Sequence, residues 1–150
     1  MERLQQYDVV VVGGGTAGVS AAVGAAKTGA KTLLIERNAY LGGEATNSGV
    51  SAFCGFYTCG ENPVRVVEGV GRLVLNEMEA LGPTVDYVIS ATGNRNINFQ
   101  PEYLKCAMDN LLEKERVDYL LHTSVIGADT ENGTITAIHC VDDEGTFTVA

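Results

Sequence analysis

Tyr7-Asp8-Val9-Val10-Val11-Val12-Gly13-Gly14-Gly15-Thr16-Ala17-Gly18 is the stretch that decides the fold of this chain. Four valines in a row read as a buried strand. They run straight into a glycine-rich turn, and then into a helix of small residues. Gly13 lets the chain leave the strand in a tight turn. Gly15 carries no side chain, so backbone can approach a ligand there. Gly18 lets the helix lie close to the strand. The helix start then offers free N–H groups and the positive end of its dipole to an anion. A second strand, Lys31 to Glu36, ends in a carboxylate 21 residues after Gly15, placed to accept two ribose hydroxyls. Strand, turn, helix, strand and terminal acid together imply a site for the pyrophosphate and ribose of a dinucleotide.

Two plainer readings are weaker. An ordinary βαβ unit leaves the spaced glycines and Glu36 as coincidences. A membrane span would use the uncharged run from Val9 to Ala26, but that run is rich in glycine and switches from β-branched to small residues halfway. The 150 residues amount to one domain with a real core, at 45% hydrophobic and 19% charged. A net charge of −9 argues against nucleic acid or an anionic membrane as partner. The segment Met1-Glu2-Arg3-Leu4 lacks a basic signal region, and four cysteines without framework spacing suit a reducing cytoplasm.

Farther along, the pattern predicts a strand at 7–12, a helix at 16–28 with Gly29 as its stop, and a strand at 31–36. Residues 37–61 read as irregular, with a short helix starting near Gly43. Asn62-Pro63 reads as the cap and first position of a helix that continues through Val66, Val70, Leu73, Val74 and Leu81 to Gly82-Pro83. Thr84 to Ser90 and Asn96 to Gln100 read as a hairpin. A helix from Pro101 places Leu104, Ala107, Met108, Leu111 and Leu112 on one face. Asp118 to Thr123 reads as a third strand of the main sheet. Val125 to Ala128, Thr134 to Val141 and Thr146 to Ala150 form a meander, turning at Glu131-Asn132-Gly133 and Asp142 to Gly145.

The continuation Leu41-Gly42-Gly43-Glu44-Ala45-Thr46-Asn47-Ser48-Gly49 chooses among cofactors. With VVVVGGGTAG, LLIER, PEYLKCAMDNLL and VDYLLHTSV, in that order, the chain resembles the FAD-dependent oxidoreductases of the glutathione-reductase-like superfamily. The resemblance covers most of the chain. It implies an α/β fold of the three-layer ββα, Rossmann-like FAD/NAD(P)-binding type, with a parallel sheet and a β-meander. It further implies that Gly13, Gly15, Thr16, Ala17 and Gly18 cradle the pyrophosphate of FAD. Glu36 would bind the adenosine ribose, with Arg37 beside the adenine. Gly42, Gly43, Glu44 and Ala45 would line the path toward the flavin, and Val125 would meet adenine through its backbone. Residues 1–150 would then be the N-terminal part of an FAD-binding domain. About 50–100 would be a substrate-side insertion, and the rest of the domain would lie beyond Ala150. A small molecule is the implied substrate. An NAD-binding dehydrogenase, or a dinucleotide-binding fragment without turnover, remains open as an alternative.

The chain also departs from relatives of this kind. Disulfide reductases of the superfamily carry two cysteines in the glycine loop, where Ala45 and Val50 stand here, so a thiol relay at that position is excluded. Cys54 and Cys59 are spaced C-x4-C, but buried small residues are the better reading for them, as for Cys106 and Cys140. Val88-Ile89-Ser90-Ala91-Thr92-Gly93 imitates a flavin-contacting strand end; its place in the order marks it as a hairpin turn. His122 and His139 sit in strand-like segments, and no metal-ligand set accompanies them. Phe53, Phe56 and Tyr57 read equally as a core cluster or as flavin neighbours.

Overall fold

The computed structural model describes residues 3–4, 6–82 and 85–150. In chain order the elements are β1 (Arg3–Leu4), β2 (Val9–Val12), α1 (Thr16–Lys27), β3 (Thr32–Ile35), α2 (Glu44–Asn47), β4 (Ala52–Phe53), α3 (Val70–Ala80) and β5 (Val85–Ile89). They continue with β6 (Arg95–Phe99), α4 (Pro101–Lys114), β7 (Asp118–Leu120), β8 (Ser124–Glu131), β9 (Thr134–Asp142) and β10 (Gly145–Val149). Two compact units share the chain. One comprises Met1–Leu41 and Leu112–Ala150, the other Gly42–Leu111.

The discontinuous unit is built in three layers. Its middle layer is the parallel sheet β2-β3-β7, with Val9 opposite Thr32 and Leu33 opposite Asp118. β3 is central and all four of its residues are buried. β2 is only half-buried, and Val12 is 58% exposed. Four valines therefore do not make a strand covered on both sides here: β2 pairs only with β3 among the described residues, so one of its edges is open. On one face lies α1, where the 3.6-residue period buries Val19, Ala22 and Val23. Thr28 ends that helix, and Gly29, at φ +91°, donates its N–H to the carbonyl of Ala26.

On the other face lies the sheet β1-β10-β9-β8. Leu33 and Ile35 meet Cys140 and Val149 there, with Val10, Leu120, Val125, Ile138 and Phe147 packed around them. Each aliphatic side chain so buried contributes about 1.5–3 kcal/mol. Asn132 and Gly133, at φ +51° and +80°, close the two-residue β8–β9 turn, as asparagine-glycine favours. The pairing of β1 with β10, parallel, has no signal in the sequence pattern.

The contiguous unit holds the antiparallel sheet β4-β6-β5. Val88 to Gly93 is the end of β5 and the turn into β6, as its order implied. The expected helix at Asn62-Pro63 does not form there; α3 begins at Val70. Residues 56–66 fold back on themselves instead. Tyr57 bridges Arg65, Thr58 N–H bonds Val64 O at 2.8 Å, and Val66 N–H bonds Phe56 O at 2.8 Å. Gly69, at φ +65°, then turns the chain into the helix. Leu81 is its C-cap; Pro83, expected to stop it, lies outside the described residues. The predicted face of α4 is buried at Leu104, Ala107, Met108, Leu111 and Leu112.

Candidate functional site

The turn after β2 is set by two close approaches. Gly13 sits at φ +103° and donates its N–H to Ile35 O at 2.7 Å. A Cβ on Gly18 would collide with the carbonyl oxygen of Gly13 and lie 3.0 Å from its carbonyl carbon. Only glycine lets α1 start this close to the turn. Gly15 is the N-cap, without a side-chain capping bond, and the first turn of α1 holds no acidic residue. The first bond into the helix runs from Val19 N–H to Gly15 O at 2.9 Å. The N–H groups of Thr16, Ala17 and Gly18 therefore have no acceptor inside the helix, and the positive end of its dipole faces no acid of its own.

Glu36 stands at the end of β3, 6% exposed. Its backbone is tied to the third strand and the turn after it: Glu36 N–H to Leu120 O at 2.8 Å, and Thr123 N–H to Glu36 O at 3.0 Å. Its carboxylate is the meeting point of three donors. Gly14 N–H reaches Oε2 at 2.5 Å. Asn38 donates its backbone N–H to Oε1 at 2.8 Å and its Nδ2 to the same oxygen at 2.6 Å. A carboxylate has about four acceptor positions. Gly14 thus fills one position on Oε2, and the two Asn38 donors fill those on Oε1.

Gly14 and Asn38 escaped the sequence reading. A Cβ on Gly14 would come 2.5 Å from Leu41 Cδ2 and 2.9 Å from Glu36 Cβ, so the middle glycine is as constrained as its neighbours. The sequence hint was three glycines where two suffice. For Asn38 there was none. Arg37 is exposed. The backbone of Val125 is in the β8–β9 ladder opposite Cys140, next to a bulge, and its side chain packs in the core.

In the contiguous unit, Gly42 (φ +109°) and Gly43 (φ +56°) lead into the four-residue α2, where Ala45 and Thr46 are buried. A Cβ on Gly42 would collide with the Thr46 side chain. Thr46 Oγ1 donates to Gly43 O at 3.2 Å, which holds the glycine pair in shape.

Three cysteines expected to be buried are not. Cys54, Cys59 and Cys106 are exposed free thiols, and only Cys140 is buried, with its thiol pushed up in pKa by burial and then by Asp142. The loop around residues 54–59 and the outer face of α4 simply leave them at the surface. Cys59 donates to Asn94 Oδ1 at 2.8 Å. His122 is in a turn at φ +53° rather than in a strand, its N–H bonded to Asn38 O at 3.1 Å. His139 is a sheet histidine, with Nε2 3.0 Å from Asp129 and Nδ1 3.4 Å from Thr148. Phe53 packs on Phe99 and Phe56 at centroid distances of 4.5 and 5.7 Å. Among the described residues no helix is long and apolar enough to cross a membrane.

The family model described as FAD dependent oxidoreductase matches residues 8–150. A digeranylgeranylglycerophospholipid reductase of Methanospirillum hungatei JF-1 is 30% identical over 125 residues, 83% of this chain and 26% of that protein. A glutathione reductase of Yarrowia lipolytica is 53% identical over 49 residues, 33% of this chain and 10% of the relative. The chain thus spans about a quarter or less of the length of these curated relatives. Among solved structures, a geranylgeranyl bacteriochlorophyll reductase-like protein from Thermoplasma acidophilum superposes with a TM-score of 0.63 at 21% identity, over 99% of this chain and 38% of the other.

Proposed function

This chain belongs to the FAD dependent oxidoreductase family, and from that premise we propose that it binds FAD for an oxidoreductase acting on a small molecule. The observation that carries the reading is the unacidic, uncapped start of α1 set one turn from a buried carboxylate that already holds Gly14 N–H. The parts suit the two ends of an adenosine diphosphate. Thr16, Ala17 and Gly18 would donate backbone N–H groups to the pyrophosphate, with Gly13 and Gly15 leaving room for it. Glu36 would accept the ribose hydroxyls, and Arg37 would lie along the adenine, with the backbone of Val125 at its edge. Gly42, Gly43, Glu44 and Ala45 would line the path to the flavin.

When bound, the flavin ring supplies hydride or electron transfer that no side chain here can perform. The chain's own residues bind and orient it. Residues from about 50 to 100 would serve the substrate side. A cytoplasmic setting, without nucleic acid as partner, suits the free thiols and the net charge of −9.

Titration with FAD and with NAD, followed by flavin fluorescence and by thermal melting, tests this. We expect FAD to bind and raise the melting temperature while NAD does neither. Protection by NAD alone would overturn the proposal.

A further inference from the structure

The contiguous unit, residues 42–111, contains four cations, and three are committed. Arg65 bonds Glu68 at 2.7 Å, Arg72 faces Glu79 at 3.8 Å, and Lys105 bonds Glu102 at 2.8 Å. Arg95, the first residue of β6, has no carboxylate within 4 Å among the described residues. Its guanidinium carbon lies 5.0 Å from the centre of the Tyr57 ring and 5.3 Å from that of Tyr87. The two rings meet edge-on, 6.1 Å apart.

Both walls are fixed from behind. Tyr87 donates its hydroxyl to Glu79 on α3 at 2.7 Å, and Tyr57 is held by its bridge to Arg65. Ring faces attract a cation but accept none of its in-plane N–H bonds. The Arg95 Nε is accordingly buried and without an acceptor. A charged donor withdrawn from water in this way is costly unless something arrives to pair with it.

The geometry specifies what that is. A guanidinium flanked by ring faces bonds only to a partner in its own plane, and a carboxylate matches a guanidinium with two parallel bonds. A phosphate dianion would call for a second cation, and the other three are occupied. We propose that Arg95, clamped by Tyr57 and Tyr87, binds the carboxylate of a small organic acid. Carboxylate binding is measured without flavin and stands independently of the preceding proposal.

The test is calorimetric titration of the flavin-free protein with benzoate, its neutral counterpart benzamide, and inorganic phosphate. Benzoate should bind and benzamide should not. Arg95→Met should weaken benzoate by about tenfold or more. Arg95→Lys, which keeps the charge and loses the fork, should weaken it by about threefold. Lys105→Gln, at a cation already paired with Glu102, should leave it unchanged. Circular dichroism checks that each variant is folded, and Arg95→Lys carries the test if Arg95→Met is not. Equal benzoate affinity in wild type and the Arg95 variants overturns the proposal. So does equal binding of benzamide, tighter binding of phosphate, or no binding of benzoate. Loss of FAD binding with benzoate binding intact would sink the flavin reading alone.

Discussion

Gly18 and Gly24 lie on the same helix, and replacing each with alanine should have opposite effects. A methyl on Gly24 meets nothing within 4 Å. Alanine there gains helix propensity worth about 0.5–1 kcal/mol. A methyl on Gly18 overlaps the carbonyl of Gly13, and the obstacle is backbone, which cannot rotate aside. Gly13 is itself pinned at φ +103° by its bond to Ile35. The helix must move away from the turn, at the upper end of the ~1–3 kcal/mol that overpacking costs. For a chain of this length each kcal/mol shifts the melting temperature by about 2–4 °C. Gly18→Ala should therefore melt about 5–10 °C lower, and Gly24→Ala about 2 °C higher. Moving the start of α1 also moves the N–H groups proposed to hold the pyrophosphate, so Gly18→Ala should lose about tenfold in FAD affinity. Gly24→Ala should lose none. Differential scanning calorimetry and FAD titration read both. If the two variants melt and bind alike, the close approach at Gly18 is not what the turn depends on.

Two more substitutions separate the donors around the buried acid. Glu36→Gln should weaken FAD about tenfold by removing the charged acceptor, whereas Asn38→Ala should leave affinity within about threefold, since it vacates an acceptor position on Oε1; equal losses would refute the lone-pair account. The tyrosines give a pH test. Burial first, then bonds to Asp118 and Glu79, push Tyr7 and Tyr87 up to about 12 from 10.0. A folded-state pKa above the unfolded one means that their stabilisation is complete below pH 10 and disappears as pH rises toward 12. Alkaline titration of phenolate absorbance should show a late step near pH 12 to which Tyr7 and Tyr87 contribute, and Tyr7→Phe should shrink that step; an unchanged late step in Tyr7→Phe would contradict it.

What the sequence made legible is what short-range chemistry controls. The turn at Gly13 to Gly18, the asparagine-glycine hairpin and the apolar face of α4 are all set by residues within a few positions of one another. Asn62-Pro63 misled for the complementary reason. Its local propensity for a helix start was overruled by the pairing of Tyr57 with Arg65, in which proline can sit in a loop with no N–H to satisfy. The open edge of β2 depends on which strand lies beside it, and no run of valines reports that. Asn38 was invisible because an exposed-looking polar residue after an acid has many uses, and only the folded turn brings its amide to Oε1. The surface cysteines had the same difficulty: small apolar residues are buried on average, and the average does not locate three individuals.

The two segments of the first unit carry a consequence for synthesis on the ribosome. Residues 42–111 emerge as one uninterrupted stretch and can fold while the rest is still being made. The parallel sheet cannot, because Leu33 to Ile35 wait for Asp118 to Leu120. β1 waits longer still, for Thr148 and Val149. Until then the turn from Gly13 to Gly18 lies on a half-formed sheet, with one flank of β3 bare. Joining ends this far apart costs only about 1 kcal/mol more in loop closure than joining β2 to β3, yet it is slow, since distant contacts form late. The nascent chain is therefore exposed to mispairing at β3 until Asp118 to Leu120 have been made.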